Sequence, residues 1–199
     1  MTKTTTTESG PLDPIDAPDR QTAAGDDVRH DDAGADDAPA SPRRRRKDAT
    51  PAQRALALLV RREHSRPELR RKLLARGIDE ADADAAVDTM TEAGWQDDAR
   101  FAASLARARV MNGYGPMRIE AELSTHGLAP EIVAGAFQSL EDDGDADWPA
   151  RALDLLTRRF DAEVLAGDPA ARRKAGDFLM RRGFGAGVLH SAIRQFCGR

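Results

Sequence analysis

Leu-Leu-Ala-Arg-Gly-Ile at residues 73–78 returns as Leu-Ser-Thr-His-Gly-Leu at 123–128 and as Leu-Met-Arg-Arg-Gly-Phe at 179–184. All three share the form L-x-x-[RH]-G-[ILF]. A glycine at that place can take the left-handed conformation that ends a helix, and the apolar residue after it packs back on the last turn. Each copy therefore marks a helix end and a sharp reversal. The glycines lie 50 and 56 residues apart, which sets the length of one repeating unit.

A second helix is expected after each glycine, with apolar residues at matching places. In the third copy these are Val188, Leu189, Ala192, Ile193 and Phe196; in the second, Ile132, Val133, Ala136, Phe137 and Leu140. The first copy is weaker, with Ala83, Ala86, Val87 and Met90, and with Asp82 where an aliphatic would stand. The spacing i, i+1, i+4, i+5, i+8 is one buried stripe on a helix. A third helix precedes each pair: RALALLVRR (54–62) and RALDLLTRR (151–159) are nearly one string, and RFAASLARAR (100–109) fills the equivalent place in the middle unit.

Helix starts are marked as well. Thr50-Pro51 and Asp168-Pro169 set a capping side chain before a proline at the first helical position. Gly115-Pro116 and Ala129-Pro130 repeat this with weaker caps, Ser65 to Glu68 has capping-box spacing, and Asp97 can cap the helix that follows it. From Thr50 onward there is no sustained alternation and no β-branched run. The spacing predicts an all-α fold of nine helices near 51–63, 65–76, 79–93, 97–111, 115–126, 129–141, 147–161, 168–182 and 185–197. They form three tandem three-helix modules over 51–96, 97–143 and 147–199. Units of this size bury little alone, so an elongated, curved array of leaning neighbours is expected.

The chain has 199 residues, 40% of them hydrophobic and 32% charged, with a formal net charge of −4. That total hides a gradient: residues 1–40 carry ten Asp/Glu against three Lys/Arg, and residues 43–47 are Arg-Arg-Arg-Arg-Lys. With Leu12, Ile15 and Val28 as its sizeable aliphatics, the segment 1–50 is expected to be a disordered acidic tail ending in a basic run. The run reads either as a solvated linker or as an electrostatic arm for nucleic acid. One cysteine, Cys197, excludes an internal disulfide framework and a cysteine-based zinc site. No apolar run approaches membrane-span length, and the start lacks a secretory h-region, so a soluble cytoplasmic monomer is expected.

DDARFAASLARARVMNGYGPMRIEAELSTHGL (97–128) resembles the central signature of the RecX family of bacterial recombination regulators. SRPELRRKLLARGI (65–78) and RRKAGDFLMRRGF (172–184) resemble the flanking modules in the same order, and the likeness covers roughly 52–197. This resemblance implies three tandem three-helix repeats that bind RecA along the groove of RecA–DNA filaments. It also implies inhibition of strand exchange, ATP hydrolysis and coprotease activity, within homologous recombination, DNA repair and the SOS response. The acidic extension, the arginine run and the longer approach to the third module depart from that family core.

The residues themselves suggest a binding surface. Arg61, Arg62, Arg66, Arg70, Arg71, Lys72 and Arg76 make the first module basic; Arg107, Arg109 and Arg118 continue in the second; Arg158, Arg159, Arg172, Arg173, Lys174, Arg181 and Arg182 follow in the third. Arg66 and Arg70 lie one turn apart and can share a face. Aligned modules could turn these patches into a stripe along a phosphate backbone or an acidic protein groove. Equally, arginines at helical spacing solvate an outer face or oppose a helix dipole. Tyr114, between two glycines, is the best-placed aromatic for partner contact, whereas Trp95 and Trp148 read as core or staple residues. His64, His126 and His190 have no second ligand at metal spacing, so neither metal nor cofactor is expected.

Catalysis is not expected either. Gly183-Phe-Gly-Ala-Gly187 lacks the strand before it and the Lys-Ser/Thr ending of a phosphate loop, and helix termination explains it. The acidic pairs Asp97-Asp98 and Asp142-Asp143 stand at helix ends, where capping suffices. The other reading of the fold is a helical DNA-binding module acting without RecA, since three-helix units with a sharp turn resemble helix-turn-helix domains.

Overall fold

The computed structural model describes residues 49–198, which are helical with no strand; the acidic segment and the basic run at 43–47 lie outside the described residues. Ten helices follow one another: α1 (Pro51–Leu59), α2 (Arg66–Leu74), α3 (Glu80–Glu92), α4 (Asp98–Met111), α5 (Pro116–Thr125), α6 (Pro130–Asp142), α7 (Trp148–Arg159), α8 (Ala162–Gly167), α9 (Pro169–Arg181) and α10 (Ala186–Cys197).

Local chemistry sets most of these boundaries. Thr50, Ser65, Asp79, Asp97, Asp147, Asp161 and Asp168 each accept a backbone N–H of the first helical turn. The full capping box is Thr50 with Gln53, not Ser65 with Glu68: the Glu68 side chain turns away to Arg62 and His64. Gly115 and Ala129 give no side-chain cap, and the proline after each begins the helix. Gly77, Gly127 and Gly183, the glycines of the repeat, have φ of 77°, 66° and 90°, and each ends a helix.

Two expected boundaries shift. The helix foreseen over 51–63 stops at Leu59, because His64 and Ser65 turn inward and are 3% and 0% exposed. The helix foreseen over 147–161 stops at Arg159, and a tenth helix, α8, occupies the intervening segment. Asp161 caps α8 and Leu165 anchors it, 1% exposed, in the core of the last unit.

Each triplet encloses its own core. Leu58, Leu69, Leu73, Ala86, Val87 and Met90 fill the first; Ala106, Val110, Ile119, Leu123, Ala136 and Leu140 the second. Leu153, Leu156, Leu165, Leu179, Phe184 and Phe196 lead the third. The apolar stripe read from the sequence is the buried face of α3, α6 and α10. Trp148 packs against the second and third cores, edge-on to Phe137 at 6.5 Å, as a staple should. Trp95 does not: it is 55% exposed, and the neighbouring Gln96 enters the interior instead.

Neighbouring units meet in a repeated register. Ser65 and Gly115 each stand twelve residues before their own unit's glycine, and His126 and Arg182 each stand just before the next unit's glycine. Ser65 Oγ lies 3.3 Å from His126 Nδ1. At the same places one unit later, the Gly115 N–H donates to the Arg182 carbonyl at 2.8 Å, and Met117 N–H donates to the Gly183 carbonyl at 3.1 Å. In both cases the start of a middle helix sits on the glycine turn of the following unit.

Candidate functional site

The basic residues divide by what holds them. Seven of the expected contact residues face carboxylates. Arg62 and Lys72 meet Glu68, Arg66 meets Asp88, Arg70 meets Asp84 and Glu80, Arg107 meets Asp143, Arg109 meets Glu122, and Arg158 meets Asp154. The shared face of Arg66 and Arg70 is therefore turned to α3. Arg172 is held differently: its guanidinium donates to the carbonyls of Leu165 and Ala166, at 2.8 and 2.7 Å, at the end of α8. Arg71, Arg76, Arg173, Lys174 and Arg181 carry no ion pair among the described residues. They sit on α2, α9 and the turn after α2.

One group is drawn together. At the seam between the second and third units the guanidinium carbons of Arg118 and Arg182 both lie 5.1 Å from the centre of the Tyr114 ring. Arg182 is also 5.5 Å from the Phe178 ring, which Arg159 approaches at 5.0 Å. The result is a ladder of Arg118, Tyr114, Arg182, Phe178 and Arg159. Its placement follows from the backbone seam: Gly115 and Gly183 touch main chain to main chain. A Cβ on Gly183 would lie 2.5 Å from Arg118 Cβ, and one on Gly115 2.5 Å from the Gly183 carbonyl oxygen. Arg182 is pinned further by donating to the Asn112 carbonyl at 3.0 Å.

Chemically, stacking of this kind holds the Arg118 and Arg182 guanidinium groups without neutralising them. Stacking on a ring engages the flat face of a guanidinium and leaves its N–H edges for a phosphate or carboxylate. Arg118 and Arg182 have no ion-pair partner among the described residues, so their charge remains available. Sequence reading identified Tyr114, Arg118, Arg159 and Arg182 singly but not their union. Phe178 was missed, because a buried aromatic on an apolar stripe looks like core alone.

The first seam is built otherwise. The polar residues buried among the described ones, His64, Ser65, Glu68 and Gln96, all stand there. Gln96 Nε2 donates to Asp98 Oδ1 at 2.8 Å and to the His64 carbonyl at 3.2 Å, while Arg66 N–H also donates to Asp98 Oδ1 at 2.9 Å. Burial pushes the Glu68 carboxyl up, but the contacts with His64 and Arg62 outweigh it and hold the group at about 2. His126 stacks on Phe101 at 4.8 Å, and burial lowers its pKa against the raising pull of Glu68 and Glu122. The Arg109 guanidinium lowers the Glu122 carboxyl. Ser65 with His126, and Arg66 and Gln96 with Asp98, reach from the first unit to the second, while Glu68 keeps its partners within the first unit and Glu122 within the second.

Residues 97–136 match the family model for the RecX second three-helix domain, and residues 53–90 match that for the RecX first three-helix domain. The chain is 54% identical over 160 residues to a protein of Stenotrophomonas maltophilia (strain R551-3) named regulatory protein RecX, covering 80% of this chain and 95% of that one. It is 54% identical over 151 residues to the protein of that name from Xanthomonas axonopodis pv. citri (strain 306), covering 76% and 90%. The crystal structure of RecX from Lactobacillus salivarius superposes with a TM-score of 0.59 at 21% identity, over 73% of this chain and 94% of that one, and shows a shared fold. No helix among the described residues is long and apolar enough to cross a membrane.

Proposed function

The chain belongs to the RecX family, and from that premise we propose that it binds RecA and RecA–DNA filaments and inhibits their recombinase, ATPase and coprotease activities in the cytoplasm. The observation that carries the reading is the ladder at the second seam, where Tyr114 and Phe178 hold Arg118, Arg182 and Arg159 in stacked positions. A RecA–DNA filament offers phosphates and acidic side chains along a groove. Guanidinium edges already fixed on rings lose little rotamer freedom on meeting either. Cations already satisfied by carboxylates, such as Arg70 with Asp84, must first break a pair and contribute less.

The contact set is therefore Arg118 and Arg182, extended by Arg71, Arg76, Arg173, Lys174 and Arg181. The family's regulatory name supports the role. The direction of regulation follows the resemblance stated above.

A titration of RecA's DNA-dependent ATP hydrolysis at two salt concentrations tests partner, direction and electrostatic share together. Suppression by substoichiometric protein is expected, weakening as salt rises. The double variant Arg118→Glu, Arg182→Glu should need at least about tenfold more protein for the same effect, roughly 1.4 kcal/mol of lost contact. Equal inhibition by wild type and variant would remove the ladder from the contact surface. Tight binding to naked DNA with RecA activity untouched would replace the whole reading by a DNA-binding one.

A further inference from the structure

Between α9 and α10 runs an open groove of about 790 Å³ that shares only Arg173 with the contact set above. Its walls follow one pattern. Arg172, Gly176 and Met180 step along α9 at i, i+4, i+8, and Leu189, Ile193 and Cys197 do the same along α10. Eight residues of helix span about 12 Å, the length of two turns. The floor is apolar, and Met180 at its end is 63% exposed. The rim carries the cations Arg172, Arg173 and Arg194, with His190, against Asp177.

The glycine in the wall is unusual. Gly176 lies inside α9, where glycine costs about 1 kcal/mol relative to alanine. Folding does not demand it: a Cβ there would make only ordinary contacts, 3.7 Å to Leu189 and 3.9 Å to Ile193. Its absence widens the groove.

The internal repeat shows what the groove lacks. Counted from each unit's glycine, Arg66 and Asp88 of the first unit correspond to Arg172 and Arg194 of the third, and Arg70 and Asp84 correspond to Gly176 and His190. In the first unit these residues close the equivalent α2–α3 groove: Arg66 pairs with Asp88 across it, and Arg70 Nε donates to Asp84 Oδ1 at 2.6 Å. In the third unit both carboxylates are replaced by cations or imidazole, and one arginine by glycine. Arg173 and Arg194 have no ion pair among the described residues. Acid groups that the first unit supplies from its own helix have no counterpart here.

We infer that the α9–α10 groove is a docking site for an acidic amphipathic helix of a protein partner. The partner's apolar residues lie over Gly176, Leu189 and Ile193. Its carboxylates stand where Asp84 and Asp88 stand in the first unit, facing Arg173 and Arg194 beside Arg172, which is anchored on the α8 carbonyls. The site lies apart from the Tyr114 ladder and does not depend on the partner proposed for it.

The full chain is titrated against a fluorescently labelled, leucine- and glutamate-bearing helical peptide of about twelve residues, long enough for three turns, with fluorescence anisotropy as readout. A twin peptide with glutamine for glutamate, and a single-stranded oligothymidine, serve as competitors. Two variants probe opposite halves of the site: Arg194→Asp, which restores a carboxylate opposite Arg172 and closes the groove from within, and Gly176→Leu, which fills its floor. Circular dichroism should show both folded. The acidic peptide is expected to bind wild type and to lose at least about tenfold in affinity with either variant and with its glutamine twin. Equal binding by the twin, or by both folded variants, would overturn the inference. So would displacement by oligothymidine with Gly176→Leu without effect, since that marks a phosphate site. Concentration-dependent dimers of wild type, abolished by Gly176→Leu, would also overturn it by making the occupant a second copy.

Discussion

Glu68 exposes 6% of its side chain, yet it remains a carboxylate because Arg62 and His64 of its own unit face it beside the first seam. Replacing it by glutamine keeps the shape and removes the charge those partners were placed for. The expected cost near pH 7 is about 2–3 kcal/mol, less than for a fully buried pair, because the Arg62 side chain is 54% exposed and can regain water. The sign with pH follows from the lowered group. Its ordinary value is 4.5 and its folded value about 2, so its stabilisation is complete above pH 4.5 and is lost as pH falls toward 2. The difference in unfolding free energy between wild type and Glu68→Gln, from urea titrations, should shrink across that window. A constant difference would mean that Glu68 acts by packing and not by charge. Composition could not expose this residue: one glutamate between prolines and arginines looks like a capping-box member, and its partner's burial is a tertiary fact.

At the scale of the element, the glycine turns were legible because their demand is local. Each needs a positive φ and an apolar residue after it, and both leave a mark in sequence. What the turns touch was not legible. Gly77 has open space around a prospective Cβ, whereas on Gly183 it would strike the Arg118 backbone at 2.6 Å. The two alanine variants therefore separate conformation from docking. Gly77→Ala should lose about 1–2 kcal/mol, the cost of a left-handed alanine. Gly183→Ala adds displacement of α5, about 1–3 kcal/mol more. Thermal unfolding of the pair measures the seam directly; equal losses would deny that the second unit rests on the third unit's turn. The same limit hid α8. Six residues carry too little periodicity to stand out, and its anchor, Leu165, is recognisable as core only once α9 and α10 lie beside it. The arginines and lysines were visible in the sequence, but their partners were not: Arg66 and Arg70 of α2 pair with carboxylates of α3, and Arg109 of α4 pairs with Glu122 of α5, pairings that need the fold to reveal them.

For the described residues as a whole, the two seams repeat one register with different chemistry, and this predicts how the units come apart. The second seam is joined by main-chain hydrogen bonds between Gly115, Met117, Arg182 and Gly183, by Trp148 shared between two cores, and by arginines stacked on rings. Arginine stays charged throughout the accessible range, so mild acid leaves that seam unaltered. The first seam holds Glu68, Gln96 and Asp98 with His126 against Phe101. Burial lowers the His126 pKa from 6.5, with Glu68 and Glu122 opposing that shift and Arg71 and Arg62 adding to it. A histidine depressed on folding stabilises the native state above pH 6.5, and its contribution is lost as pH falls below that value, because the unfolded chain then takes the proton first. Lowering pH from 7.5 to 5.5 should therefore loosen the first unit before the other two. Amide hydrogen exchange, corrected for the intrinsic rate, should accelerate around Leu69, Leu73 and Val87 while Leu123, Leu156 and Leu179 hold their protection. His126→Gln, which carries no titrating proton, should erase the pH dependence of that contrast. Uniform loosening of all three cores, or a contrast that persists in the variant, would mean that the units unfold as one body and that the polar seam has no separate response to protons.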